Sequence, residues 1–211
     1  MLRLAGAVVK LVPLSPPDWA IPVARLESAF SERTKLLLMN SPMNPTGKVF
    51  SADELALLAD LLKRYDAYAI CDEVYEHLIF DDLSHVPLMT LPGMRQRCIR
   101  IGSAGKVFSM TGWKVGYVTA SPELMAVMSK AHQFLVFATP PNLQRAVAYG
   151  LDEEEAWYTC LAGELESKRD RFAEGLARIG FDVLPTHGTY FISADFHPLD
   201  LMGVISSYAG S

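Results

Sequence analysis

Hydrophobic and polar positions follow two rhythms along this chain, and the rhythms alternate. Near-continuous apolar runs at 34–39, 67–71 and 98–101 read as strands buried on both faces, and the runs at 7–14 and 116–120 as further short strands. Between them apolar positions fall at helical spacing. Val23, Leu26, Ala29 and Phe30 predict a helix over 22–30, and Leu55, Leu58, Leu61 and Leu62 form the buried face of another. Ser51 can cap that second helix, with Glu54 at the capping-box position. Ser121-Pro122 opens the next, through Leu124, Val127 and Met128, with serine as cap and proline in the first helical position. Residues 143–149 and 153–179 are helical by the same test, and Gly180 is placed to stop the longer one. The charged groups of that helix, Glu166, Lys168, Arg169, Asp170, Glu174 and Arg178, read as a solvated face with helical pairs. Strand and helix in repetition predict an α/β fold with a mostly parallel sheet flanked by helices. The runs at 181–184 and 189–194 then read as the start of a smaller α+β unit, and beyond Leu199 no periodicity is visible.

Chemistry-bearing residues gather just after the apolar runs. Ligand sites in parallel α/β sheets form beyond the carboxyl ends of strands. The first run is followed by Asn40-Ser41-Pro42-Met43-Asn44-Pro45-Thr46-Gly47, a pair of turns with proline-fixed backbone. The next ends in Asp72-Glu73-Val74-Tyr75, and the third in Gly102-Ser103-Ala104-Gly105-Lys106. A lysine among such small residues is open to a ligand. As a triphosphate-binding loop, this last stretch would need glycine where Arg100 stands and a hydroxyl where Val107 stands, so that reading fails. Ser103-x-x-Lys106 also matches the serine–lysine pair of acyl-transfer enzymes, but no S-D-N or K-T-G accompanies it. A Schiff-base lysine for pyridoxal phosphate is the third reading. Such an amine needs an anion for the ring nitrogen, donors for the ring's phenolate oxygen, and hydroxyls or cations for the phosphate. Asp72 can supply the first, Asn44 and Tyr75 the second, and Ser103 and Lys114 the third.

Composition narrows the picture further. The chain has 211 residues, 50% of them hydrophobic and 20% charged, enough for a sizeable core. With a net charge of −5 and no basic block, it offers no footprint for nucleic acid or a membrane surface, and small-molecule work is favoured. The apolar amino-terminal stretch is broken by Arg3, Lys10 and Pro13, so it is too short and too charged to span a bilayer. Cys71, Cys98 and Cys160 are odd in number and lack C-x-x-C spacing. That fits buried thiols in a reducing, cytoplasmic setting better than a disulfide framework or a zinc site. The scattered His77, His85, His132, His187 and His197 show no metal-ligand spacing.

NSPMNPTG, CDEVYEHLIF and SAGKVFSMTGWKVGY, in that order and spacing, carry a resemblance to the fold-type I pyridoxal-phosphate aminotransferases of classes I and II. The similarity is strongest to the kynurenine, glutamine and methionine aminotransferase branch, and GTYFISADF near the end adds to it. The resemblance covers residues 1–198 and implies pyridoxal phosphate as cofactor, amino-acid and 2-oxo-acid substrates, and a homodimer. It also implies that Lys106 is the catalytic amine, with Asn44, Asp72, Tyr75, Ser103 and Lys114 holding the cofactor. Lys114 stands where many relatives have arginine, and would grip phosphate as a point charge. Val107 replaces a residue that commonly bears a hydroxyl.

The same resemblance implies that residues 1–160 are the carboxyl half of the cofactor-binding large domain. Residues 161–198 would be the connecting helix and first strands of the small domain, and 199–211 a tail unlike the family. Relatives carry, before the region matching Met1, a phosphate-binding turn, a ring-stacking aromatic and much of the dimer contact; after GTYFISADF they carry an arginine that clamps the substrate carboxylate. The expectation is therefore a partial aminotransferase with apolar surface left open. A β-lyase on the same cofactor, or a fragment without activity, uses the same visible residues and stays open at this level.

Overall fold

The sheet forms where the apolar runs lie. In the computed structural model, which describes residues 3, 5–153 and 156–199, β1 (Leu36–Asn40), β2 (Tyr68–Asp72) and β3 (Cys98–Ser103) run parallel in that order. β4 (Gly116–Thr119) closes the edge antiparallel to β3. Asn40 pairs with Asp72 and Asp72 with Ile101, so the two parallel ladders end level, and β3 runs on two residues to Ser103. Ser103 pairs with Gly116, which turns everything between them into one closed loop.

One face of the sheet is covered by α1 (Val23–Ala29) and α2 (Ala52–Arg64). Ser51 Oγ accepts the Glu54 N–H while Glu54 reaches back to the Ser51 N–H, the reciprocal cap expected from the sequence. Leu55, Leu58, Leu61 and Leu62 pack with Met39, Ala69, Cys71 and Cys98 into the main core. Each buried leucine contributes about 1.5–3 kcal/mol relative to exposure. On the opposite face Leu38 is 59% and Tyr68 43% exposed, so β1 and β2 are buried on one face only.

α3 (Ala104–Val107), α4 (Pro122–Leu135), α5 (Pro141–Leu151) and α6 (Ala156–Arg178) follow. Ser121 Oγ accepts the Leu124 N–H at the start of α4, as its sequence predicts, yet no residue of α4 is buried. Ala104, Val115 and Val147 make a second small core linking the α3 loop to α5. Past α6, Gly180 adopts the left-handed conformation expected of a stop, at φ +96°.

Two expected strands differ. Residues 7–14 run without strand structure, Val8 being 91% exposed: an apolar run becomes a strand only beside a ladder partner. Of the pair expected at 181–184 and 189–194, only β5 (Asp182–Val183) and β6 (Ala194–Asp195) pair. Gly188 and Thr189 are drawn instead to the segment after β2, where Gly188 bridges Ile79 and Thr189 N–H donates to Leu78 O at 2.9 Å. Cys71 and Cys98 are buried and Cys160 is exposed, and none of the three is in a disulfide among the described residues. Among the described residues no helix is long and apolar enough to cross a membrane, and no cluster could hold a metal ion.

Candidate active site

Lys106 stands in α3, one turn beyond β3, where the chain has just left the sheet. Its Nζ donates to the Tyr190 hydroxyl at 2.5 Å and lies 5.4 Å from the centre of the Tyr75 ring. Tyr75, buried after the end of β2, donates its hydroxyl to Tyr190 at 3.4 Å and accepts the Asn44 side-chain amide at 3.4 Å. The two tyrosine rings meet edge to face, 5.3 Å between centres. Asn44 is itself fixed by its own N–H, which donates to the side-chain oxygen of Asn40 at 2.7 Å, at the end of β1. Three segments far apart in sequence thus meet around one amine.

Asp72, the last residue of β2, is half-buried, and its carboxylate accepts the Val74 N–H at 3.4 Å. Burial holds this carboxyl above its ordinary value; Glu73 adds to the effect, while the Val74 N–H and the Lys106 charge oppose it. Burial, and then the hydrogen bond to Tyr190, push the Tyr75 phenol up. For Tyr190 burial acts upward too, but the hydrogen bonds from Lys106 and Tyr75 outweigh it and leave this phenol below its usual range.

Ser103 and Lys114 are less engaged. Ser103 occupies the N-cap position of α3 without making a cap bond, and Lys114 is exposed in a left-handed conformation at φ +56°. Neither side chain makes a hydrogen bond or ion pair among the described residues. Across from β4 the Tyr117 ring lies over Gly102, where an added Cβ would come within 2.1 Å of it. A cleft of about 290 Å³ opens beside Lys106, lined by Leu78, Ser109, Thr111, Leu161 and Leu165 with Tyr190.

Behind Asp72 lies a layer of charge that sequence reading did not single out. Glu73 is buried; its Oε2 accepts Arg100 Nε at 2.7 Å and touches His85 Nε2 at 3.1 Å, the latter without hydrogen-bond alignment. The Arg100 guanidinium also meets Glu76, and Tyr117 OH donates to Glu76 Oε1 at 3.1 Å. This layer ties the ends of β2 and β3 together directly under the site.

The match to known proteins decides what this constellation belongs to. The model of the aminotransferase class I and II family matches residues 1–206. The chain belongs to that family. It is 44% identical to the solved N-succinyldiaminopimelate aminotransferase of Mycobacterium tuberculosis, with a TM-score of 0.91, covering 94% of this chain and 52% of that one. It is similar to the Escherichia coli protein YbdL, whose structure was reported with a methionine aminotransferase function, at 34% identity and a TM-score of 0.89 over 93% of this chain and 52% of that one. Kynurenine–oxoglutarate transaminase 3 of Homo sapiens is 38% identical over 95% of this chain and 48% of its own length. The chain spans about half the length of the curated relatives it matches.

Class I and II aminotransferases depend on pyridoxal phosphate, and the donor set here fits that group. A half-buried carboxylate raised by its surroundings suits a protonated ring nitrogen; the Asn44 amide and Tyr75 hydroxyl suit an anionic ring oxygen; the unengaged Ser103 hydroxyl and Lys114 ammonium suit a phosphate. Sequence reading did not single out Tyr190, which the fold places against Lys106 and Tyr75. Its only local signal is its place in GTYF, and its meaning depends on a contact with Lys106, 84 residues away.

Proposed function

We propose that the site around Lys106 serves amino transfer between an amino acid and a 2-oxo acid, with pyridoxal phosphate held by Asn44, Asp72, Tyr75, Ser103 and Lys114. The cofactor, when bound, supplies an electron sink for the substrate's α-carbon. The protein's own residues do the rest. Asp72 keeps a positive ring nitrogen charged, which its place beside Glu73 favours. Tyr75 and Asn44 set donors at the ring oxygen. Lys106 supplies the reactive amine and, once free, carries a proton to and from the substrate carbon from a tethered position. Its four-carbon stem gives the amine the reach this requires.

The observation that supports this reading is the meeting of Lys106, Tyr75 and Asn44 beside Asp72 at level strand ends, in a chain of this family. As parts of the same proposal, the protein works in the cytoplasm as a homodimer, and the boundary between large and small domains falls near residue 160, inside α6. Incubation of the full chain with pyridoxal phosphate, borohydride reduction and peptide mapping tests the central assignment. The label is expected on Lys106 and lost in Lys106→Ala; a label on another lysine overturns it.

A further inference from the structure

The segment that carries Tyr190 is held by more than backbone. Phe80 N–H donates to His187 O at 3.0 Å, and Gly188 sits so close to its neighbours that a Cβ there would lie 2.9 Å from Leu78 O. Beside this pairing lies a dense group of charges. Arg169 of α6 grips Asp81 with both nitrogens of its fork, each at 2.7 Å, and donates to Thr186 O at 2.8 Å. His187 Nδ1 meets the same Asp81 carboxylate at 2.7 Å, and the Asp81 N–H donates to Glu166 at 2.7 Å. The guanidinium also lies over the Phe80 ring, 5.0 Å from its centre. Asp81 itself holds a left-handed backbone at φ +59°, a conformation that persists in a non-glycine residue where its surroundings over-determine it.

We propose that this cluster is a positioning device for Lys106: by fixing the segment from Thr186 to Tyr190 it sets the Tyr190 hydroxyl against the Lys106 amine. A bidentate arginine–carboxylate pair constrains direction as well as distance, and here it joins three elements, α6, the turn after Phe80 and the strand-like stretch before Tyr190. Thr186 and His187 both touch the cluster, and Tyr190 follows three residues after His187, past the Gly188 bridge to Ile79 and a bend at Thr189, whose backbone is left-handed at φ +69° and whose N–H is tied to Leu78 O. The charged or titratable groups around Tyr190 are Lys106 from α3, Tyr75 from the turn after β2, and Lys168 and Arg169, which line a small pocket with it from α6. Of these Lys106 makes the shortest contact, so the state of the Tyr190 phenol reports whether the amine and the hydroxyl are in register. Hydrogen bonding to Arg169 holds the Asp81 carboxyl below its ordinary value, against burial and with help from His187. The inference rests on reading Lys106 as the reacting amine, but its test needs no cofactor.

The test is a pH titration of tyrosinate absorbance on the full chain without cofactor. One tyrosine is expected to titrate below the rest, to vanish in Tyr190→Phe and to move upward in Lys106→Met. In Asp81→Asn and Arg169→Lys the same phase is expected to rise by about one pH unit or more, a tenfold change in proton affinity, with far-ultraviolet circular dichroism unchanged. Absence of an early phase in the wild-type chain overturns the proposal. So does an early phase that stays in place in both folded variants, because backbone pairing alone would then hold Tyr190. Loss of folded signal in either variant also overturns it, since the cluster would then support the fold. A borohydride label at a lysine other than Lys106 defeats the functional reading while leaving this titration standing, so the two failures are told apart.

Discussion

At the scale of single residues, the site depends as much on an atom that is missing as on those present. Gly102 lets the Tyr117 ring cross β3, and a methyl group there would overlap it at 2.1 Å, displacing a ring whose hydroxyl holds Glu76. Gly102→Ala is therefore expected to lower stability by about 1–3 kcal/mol in urea unfolding, the usual range for overpacking. Gly112→Ala, with nothing within 4 Å of the added carbon, stays within about 0.5 kcal/mol. The placement of Lys106 just past a strand is legible in the sequence because its small neighbours and the strand before it are local features. Tyr190 is not, because a tyrosine declares no role until the chain brings a partner to it.

At the scale of elements the same division holds. The reciprocal cap of α2 and the serine–proline start of α4 each fall within a span of four residues and are read from the sequence directly. Arg169, in contrast, reads as one charge on a solvated helix face, whereas its fork is taken by Asp81, 88 residues away. The strand expected at 189–194 fails for a related reason: a neighbour from the other side of the site, at Leu78 and Ile79, competes for its first residues. The buried layer under Asp72 gives a quantitative check. Arg100→Met removes the cation that joins Glu73 and Glu76, leaving the Glu73 carboxylate to His85 and the Glu76 carboxylate to the Tyr117 hydroxyl and His77. The expected loss is about 3–5 kcal/mol in denaturant unfolding, the cost of breaking a buried ion pair from one side. A loss under about 1 kcal/mol would mean that water or His85 already neutralises the layer.

For the whole molecule, the distribution of apolar surface is the leading fact. The core lies on one side of the sheet, while Phe134, Leu135 and Phe137, at the end of α4 and just beyond, are 88%, 82% and 79% exposed. Soluble monomers rarely show contiguous apolar patches of this kind. The double change Phe134→Ser and Phe137→Ser is expected to reduce hydrophobic-dye fluorescence and self-association in sedimentation. Its effect on unfolding free energy should stay within about 0.5 kcal/mol, because the rings leave little packing behind. A large drop in stability would show that they are covered in solution. The pairing of Ser103 with Gly116 has a different kind of consequence. The stretch that carries Lys106 is anchored in the sheet at both ends, so it is a fixed mount and not a lid. The backbone under the amine stays put unless the β3–β4 edge unzips, and the movement that the proposed proton carrier needs is confined to rotations about the side chain's own bonds.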